Sequence, residues 1–319
     1  YSTGIPSLDT HYDARMRSIS LDIIHAHSPF IAGLEAQRLA RRRNIPVIGM
    51  FHSRYYDDFY QYTRAEMLAN IAVATIVNFY QRCDEVWTVS QSSAETLHDY
   101  GYVGEIVVIP NGTPDVDPSP ARATAAKAHF QLPDEPILLY CGQINWKKNI
   151  LRILESCAAY KRKGEPFTLV LAGQGPDKKA IAQKVDELGL TERVRFTGHI
   201  TDEELLYGLY EVADLFVFPS LYDTSGMVIR EAAAMETPSV VVRGCATAEP
   251  IVDRENGFLC EDTSESLCDV IALALSDLAA TKRIGQSARK SIYLSWDDIA
   301  GTALDRYAAL IDRYQANRK

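Results

Sequence analysis

Short apolar runs alternate with longer segments of helical periodicity along almost the whole chain, and this alternation limits the fold more than any other feature. Helical patterns lie at Phe30–Arg43, Thr63–Arg82 and Ile299–Tyr314. Strands that alternate with helices predict an α/β fold of parallel sheets covered by helices on both faces. The runs that we predict to be buried strands are Leu21–His25, Pro46–Met50, Glu85–Val89, Glu105–Ile109, Ile137–Cys141, Thr168–Ala172, Val194–Phe196, Leu215–Pro219 and Ser239–Val242.

A stretch rich in Pro and Gly, Pro110–Pro120, interrupts the alternation and is the best candidate for a linker. We therefore predict two doubly wound, Rossmann-like domains, residues 1–112 and 113–296, with a last helix at 297–319 that packs back on the first domain. Tyr1–Ser20 lacks the strand and the Gly-rich turn with which such a domain usually opens. We expect the N-terminal domain to be incomplete.

Composition and charge favour an ordinary globular protein. The net charge of −9 argues against nucleic acid as a partner, and no segment has the roughly 18 apolar residues that a membrane span needs. The six cysteines form no C-x-x-C pair and mostly lie in apolar runs, which indicates reduced thiols and a cytoplasmic protein. Arg38 and Arg41–Arg43 close a helix, where cations favour its dipole; a peripheral contact with a membrane surface is the alternative.

The stretch Phe216–Pro238 reads FVFPSLYDTSGMVIREAAAMETP, which predicts a strand, a polar loop and a helix that begins near Ser225 or Gly226. Ligands of open α/β sheets bind at the carboxyl ends of the strands, and a helix N-terminus there suits a diphosphate. The alternative is that Asp223 only caps the helix and that Glu231 is solvated. The residues that we predict to bind the ligand are Asp223, Thr224, Ser225, Gly226, Met227, Val228 and Glu231.

Two more turns that follow strands carry candidate residues. In Leu139–Ile150, LYCGQINWKKNI, Gly142 turns the chain and Lys148 could neutralise a leaving diphosphate; solvated lysines are the alternative. In the first domain, His25 and His27 lie near one strand end and His52 follows the next strand. A histidine there is more often a packed or surface residue than a ligand-binding one.

These motifs resemble, in order and in register, those of the family 4 retaining glycosyltransferases. Phe216–Pro238 is similar to the family's FPS-x-x-E-x-F-G-x-x-x-x-E-A-x-A-x-G-x-P, although Asp223 replaces Glu and Ser225 replaces Phe. Leu139–Ile150 is similar to G-R-x-x-x-x-K-G, with Gln143 in place of Arg, a loss for which Lys147 is a candidate replacement. His27 ends a D-x-x-H-x-H motif, and His52 lies in a recurrent F-H motif. The Tyr-rich stretch after His52 is similar to that of diacylglycerol glucosyltransferases.

The resemblance implies a GT-B fold, in which two Rossmann-like domains face a cleft, with a nucleotide-sugar donor in the second domain and an acceptor in the first. It implies catalytic roles for His27, Lys148, Asp223 and Glu231, with Asp223 on sugar hydroxyls and Glu231 on the ribose. It also implies that the transfer retains the α configuration and needs neither a metal nor another cofactor. The remaining donor-binding residues implied are Gly142, Gln143, His199 and Ile200, and those on the acceptor side are His27, His52, Tyr55 and Tyr56.

The sequence thus predicts a hexosyltransferase that uses a UDP-sugar, or alternatively a GDP-sugar, and a lipid, glycan or small-molecule hydroxyl. A non-catalytic nucleotide-sugar binding protein remains open, because Gln143 and Asp223 depart from the family pattern. An NAD-dependent dehydrogenase also fits alternating strands and helices, but the first strand lacks G-x-G-x-x-G. No motif indicates an oligomeric state.

Overall fold

The computed structural model describes residue 6 and residues 9–316 of the chain. It divides into two compact units, one formed by Tyr1–Pro110 with Asp298–Lys319 and the other by Asn111–Asp297. Each unit has its own parallel sheet and its own apolar core. Both units are therefore α/β domains of the layered type that the sequence predicts.

The elements follow one another in the strand–helix order expected from the sequence. The strands are β1 (Ile24–Ala26), β2 (Val47–Phe51), β3 (Glu85–Thr88), β4 (Ile106–Val108), β5 (Ile137–Cys141), β6 (Thr168–Ala172), β7 (Val194–Gly198), β8 (Leu215–Val217), β9 (Ser239–Val242) and β10 (Phe258–Cys260). The helices are α1 (Thr10–Ser18), α2 (Ile31–Arg43), α3 (Tyr55–Thr63), α4 (Glu66–Tyr80), α5 (Gln91–Asp99), α6 (Pro120–His129), α7 (Ile150–Lys161), α8 (Lys178–Glu187), α9 (Glu203–Val212), α10 (Met227–Ala234), α11 (Ser264–Ser276), α12 (Leu278–Ser291) and α13 (Trp296–Ala316).

In the first unit, four parallel strands lie in the order β1-β2-β3-β4. Side chains of β2 alternate between the two faces of the sheet, as the two-residue period of a strand requires. Phe51 packs in the core on one face, whereas Ile48 and Met50 pack with Trp87 on the other. Leu310 of α13 belongs to that second core, so the C-terminal helix covers one face of the first sheet.

In the second unit, six parallel strands lie in the order β10-β9-β8-β5-β6-β7. Counted from β5, this is the 3-2-1-4-5-6 order of dinucleotide-binding folds, read from the other edge. The order reverses between β5 and β8, and ligands of such sheets bind outside the carboxyl ends of the strands at that switch point. The loops after β5 and β8 are therefore the natural place for a site.

Several boundaries differ from the sequence predictions. The ladder of β1 begins at Ile24, opposite Val47, and not at Leu21. The helix predicted over Thr63–Arg82 is α4, which spans Glu66–Tyr80. Helix α3 before it was not predicted, and it ends where Arg64 takes a left-handed conformation (φ 54°). The strand predicted over Leu215–Pro219 ends at Val217. Strand β10 was not predicted, since three residues are too short for a recognisable period.

Candidate functional site

The loops after β5 and β8 bring a cation and an anion together at the switch point of the second unit. Lys148 Nζ and Asp223 Oδ1 lie 2.6 Å apart, and the two side chains are only 18% and 22% exposed. The backbone N–H of Lys148 donates to Asn145 Oδ1, which holds the turn Trp146–Lys148 in place. The alternative of a solvated lysine at this position is therefore wrong.

Asp223 does not cap the helix that follows it. The N-cap of α10 is Gly226, in a left-handed conformation (φ 56°) and without a side-chain capping bond. Asp223 Oδ2 is buried and has no hydrogen-bond partner among the described residues. Because an unpaired buried oxygen is costly, Asp223 Oδ2 is an acceptor that a donor group could satisfy. The N-cap Gly226 has no side chain to satisfy the N–H groups that the first turn of a helix presents.

Ser225, where the family pattern has Phe, is held by a side chain from the start of the unit. Asn111 Nδ2 donates to Ser225 Oγ over 2.9 Å. Because the oxygen is the acceptor in this bond, the hydroxyl hydrogen of Ser225 remains to be donated elsewhere. Its neighbour Gly226 is close to Thr247, where an added Cβ would lie 2.9 Å from the Thr247 methyl carbon. The loop therefore lets its backbone pass where a larger residue would not fit.

Glu231 of α10 is largely buried and is not a solvated surface residue. Tyr210 of α9 donates its hydroxyl to Glu231 Oε2 over 2.9 Å. Burial raises the pKa of Glu231, and the hydrogen bond from Tyr210 partly opposes this by stabilising the carboxylate. A carboxylate that costs free energy to desolvate, with one oxygen already oriented, is suited to accept hydroxyl groups of a ligand.

A cavity of about 530 Å³ opens beside β5 and β6 in the second unit. It unites four predicted donor-binding residues, Gly142, Gln143, His199 and Ile200. The two chain turns at its edge pass very closely, since a Cβ on Gly173 would lie 1.9 Å from the carbonyl oxygen of Gly142. The sequence prediction missed the other residues that line it, although G-x-G after β6 marked the place: Cys141, Ala172, Gly173, Gln174 and Leu206.

Gln143, which departs from the family pattern, and Lys147, its candidate replacement, both have other partners. Gln143 Oε1 accepts from Asn145 Nδ2 over 2.7 Å. The ammonium of Lys147 lies over the ring of Tyr222, 5.3 Å from its centroid. A compensating phosphate contact by Lys147 therefore stays a prediction, and it would have to compete with this cation–π contact.

In the first unit, the ends of β1 and β2 bring three histidines into one array. His27 Nδ1 and His52 Nε2 lie within hydrogen-bond distance, 3.1 Å, and the rings of His25 and His27 stack with centroids 4.3 Å apart. Burial lowers the pKa of all three, that of His25 to about 3. The array is therefore neutral at neutral pH. Neighbouring strand ends explain why residues 25 positions apart in sequence meet.

The two tyrosines predicted on the acceptor side occupy different environments on α3. Tyr55 packs against Phe51 and Phe30, with centroids 5.7 Å away in each case. The ring of Tyr56 lies parallel to that of Tyr60 at 6.1 Å. The alternative of a packed aromatic cluster thus describes Tyr55, and a role of either tyrosine toward an acceptor stays a prediction.

The basic end of α2 is largely engaged within the unit. Arg38 pairs with Glu35 at 2.6 Å, and Arg42 lies 3.8 Å from Asp13. Arg43 donates to the backbone carbonyls of Met16 and Ile19. These contacts weaken the alternative of a membrane-binding patch at this helix end. Within the part of the chain that the structure describes, no helix has the length and apolar character of a membrane span.

Two family models cover the two units. Residues 4–115 match the model of Glycosyltransferase Family 4, and residues 122–291, more than half of the chain, match that of Glycosyl transferases group 1. The chain belongs to the group 1 glycosyl transferases. It is 30% identical over 233 residues to an alpha-monoglucosyldiacylglycerol synthase of Streptococcus pneumoniae, covering 70% of this chain and 52% of that protein. The chain thus spans about half the length of this relative.

A second relative and two solved structures are also similar to this group 1 member. An alpha-D-kanosaminyltransferase of Streptomyces kanamyceticus is 24% identical over 299 residues, covering 87% of this chain and 76% of the relative. Among solved structures, Anabaena Alr3699/HepE in complex with UDP has a TM-score of 0.79 at 20% identity, and the match covers 93% of this chain and 80% of the HepE chain. Sucrose-phosphate synthase of Thermosynechococcus elongatus also has a TM-score of 0.79, at 24% identity, covering 97% of this chain and 78% of the synthase chain. These likenesses assign the GT-B fold to the chain.

Proposed function

We propose that this protein is a retaining glycosyltransferase that transfers a hexose from a nucleotide diphosphate sugar, a UDP-sugar in the favoured case, to a hydroxyl acceptor. The observation that carries the proposal is the Lys148–Asp223 pair at the switch point, with Asp223 Oδ2 buried and unpaired beside the uncapped start of α10. Membership of the group 1 family supports glycosyl transfer. The UDP complexes of structural neighbours support the choice of nucleotide.

In the proposed donor complex, the diphosphate lies against the first turn of α10, where unpaired N–H groups and the helix dipole favour an anion. Lys148 turns from Asp223 to a phosphate oxygen, which frees Asp223 to accept hydroxyl groups of the sugar. Glu231 accepts the ribose hydroxyls. The base occupies the cavity beside His199 and Ile200, whose volume of about 530 Å³ admits it.

The chemical task of these residues is to stabilise the leaving group. As the glycosidic bond breaks, negative charge builds on the diphosphate while the sugar becomes oxocarbenium-like. A cation and helix amides that are in place once the donor is bound lower the barrier, because they need not reorganise as the bond breaks. We propose that Lys148 and the α10 amides do so without a metal ion, and that the acceptor hydroxyl attacks from the face the diphosphate leaves, which retains the configuration. His27 is assigned to the sugar and acceptor.

The acceptor is proposed only as a class, a hydroxyl of a lipid, a glycan or a small molecule. The named activity of the Streptococcus pneumoniae relative supports a lipid, whereas the name of the Streptomyces kanamyceticus relative gives the transferred sugar and not the acceptor. A lipid acceptor would place the protein in the cytoplasm at the inner face of the membrane, bound peripherally.

The proposal is tested with the purified chain, UDP-, GDP- and ADP-glucose, and three acceptors: diacylglycerol in vesicles, maltotriose and glycerol. We expect UDP release with one acceptor, unchanged in EDTA, and an α-linked product by NMR. His27→Ala should lower transfer strongly but leave a measurable rate, with UDP affinity kept, whereas His98→Ala, the control, should change neither. UDP binding without turnover would instead favour the non-catalytic alternative, loss of rate in EDTA would overturn metal independence, and absence of nucleotide binding would overturn both readings.

A further inference from the structure

The C-terminal helix contributes a tyrosine to the histidine array of the first unit. Tyr307 of α13 has its hydroxyl 2.6 Å from His25 Nδ1. Its ring lies parallel to that of Trp87 on β3, with centroids 5.2 Å apart and an interplanar angle of 7°. The hydroxyl is therefore held by a stacked, partly buried ring, so the hydrogen bond fixes which edge of His25 faces α13.

The orientation of His25 in turn restricts that of His27, because their rings are stacked. The His25 ring is stacked on that of His27 and meets Trp87 edge-on, with centroids 4.3 Å and 4.9 Å away. A 180° rotation of the His25 ring would remove Nδ1 from Tyr307. His25 Nε2 is buried and has no partner among the described residues. Such an unpaired nitrogen is destabilising, so His25 makes its contacts with Tyr307 and His27 at a cost in stability.

The remaining contacts leave one nitrogen of His27 for a substrate. Its Nδ1 is engaged with His52 Nε2 at 3.1 Å, and one face of its ring is covered by His25. His27 is nevertheless exposed. With Nδ1 occupied and the plane of the ring fixed, Nε2 is the atom that can meet a sugar or an acceptor hydroxyl.

A charged cluster lies next to Trp87, whose Nε1 donates to Glu85 Oε2 over 2.8 Å. Glu85 is in turn paired with Arg306 at 3.0 Å and with Arg313, both on α13. These two arginines neutralise the carboxylate. Because burial keeps His25 neutral, its stacking on His27 adds no like charge that would resist a proton on His27.

We propose that Tyr307 and His25 are positioning residues, which hold the His27 ring in the orientation that points Nε2 at the substrate. Neither touches the reacting atoms. The inference rests on the proposed function, since it assumes that His27 acts in transfer.

The test compares Tyr307→Phe with Tyr314→Phe, the same substitution seven residues later on α13, where the hydroxyl lies 3.4 Å from Asn44 Oδ1. Phe keeps the ring stacked on Trp87, so we expect unchanged UDP affinity and a melting temperature lowered only by the loss of one hydrogen bond. Turnover should fall about 10-fold with the donor KM unchanged, because small errors in orientation slow the chemical step. Tyr314→Phe should leave turnover as in the unmodified protein.

A double-mutant cycle separates positioning from a general structural role. In a His27→Ala background, Tyr307→Phe should cause no further loss of turnover, because its effect passes through His27. An equal loss in both backgrounds, or no loss in the single variant, would overturn the inference.

A second measurement does not depend on activity. Ring ¹⁵N NMR should show that Tyr307→Phe shifts the nitrogens of both His25 and His27, whereas unchanged spectra would contradict the proposed coupling. If no donor is turned over but the spectra do shift, the proposed function fails and the coupling of the rings stands.

Discussion

The strand-end sites of the two units differ in their electrostatics. In the second unit, the loops after β5 and β8 carry an ion pair, Lys148–Asp223, beside an uncapped helix start. In the first, β1 and β2 end in three stacked or hydrogen-bonded imidazoles whose burial keeps them neutral. A diphosphate needs cations and amide dipoles, whereas a neutral hydroxyl needs oriented hydrogen-bonding groups without a strong field. The difference fits a donor on one unit and an acceptor on the other.

The largest effect is expected from a substitution that removes charge from the site in the second unit. Lys148→Ala removes the cation that faces the leaving diphosphate, and we expect turnover to fall about 100- to 1000-fold, the range found when one preorganised electrostatic contact is lost. UDP affinity should fall much less, because the α10 amides remain. Steady-state kinetics and calorimetry on the same preparations measure both.

The adjacent lysine provides the matched control for this prediction. Lys147 lies in the same turn but over the Tyr222 ring, so Lys147→Ala should reduce turnover only slightly. Equal losses for the two variants would mean that general positive charge near the loop matters, and not the particular contact of Lys148. Rates unchanged in Lys148→Ala would remove it from the leaving-group role.

A smaller effect is expected at the nucleoside end of the charged site. Glu231→Gln keeps the side-chain length and the bond from Tyr210 but removes the charge, and UDP affinity should fall about 10-fold, the value of a charge-assisted hydrogen bond. Calorimetry measures it. The same change at Glu187, on the surface end of α8, should have no effect.

The pH dependence of UDP affinity sharpens this prediction. Burial raises the pKa of Glu231, so its carboxylate takes up a proton at a higher pH than an exposed glutamate does. Affinity that depends on the carboxylate is complete above that pKa and is lost as the pH falls through it. Glu231→Gln should lack this component. Parallel pH profiles for the two proteins would show that the carboxylate does not contact the ligand.

Much of the fold was accessible from local sequence. β5, β6 and β9 were predicted with the observed ends, because the turns that bound each continuous apolar run mark where the strand begins and ends. Helix α3 was not predicted, and the turn that separates it from α4 at Arg64 carries no Gly or Pro signal.

The site was predicted as separate residues and not as contacts. The motifs marked Lys148 and Asp223, but their pairing joins positions 75 residues apart, which only the neighbouring strands β5 and β8 bring together. The bond between Tyr307 and His25 spans 282 residues and follows from the packing of α13 on the first sheet. No local pattern encodes such contacts, because they depend on strand order.

The smallest expected effect concerns the hydroxyl of Ser225, which is a neutral hydrogen-bonding group on the donor loop, as the imidazoles are in the first unit. Ser225→Ala removes the hydroxyl that Asn111 orients, and UDP affinity should fall about 2- to 5-fold, the value of one neutral hydrogen bond. Ser276→Ala, at the exposed end of α11, is the control. If Asn111 acts only by orienting Ser225, Asn111→Ala should have no further effect in the Ser225→Ala background. Additive losses of UDP affinity would mean that Asn111 contacts the ligand itself. Unchanged UDP affinity in Ser225→Ala would mean that backbone amides alone bind phosphate on this loop.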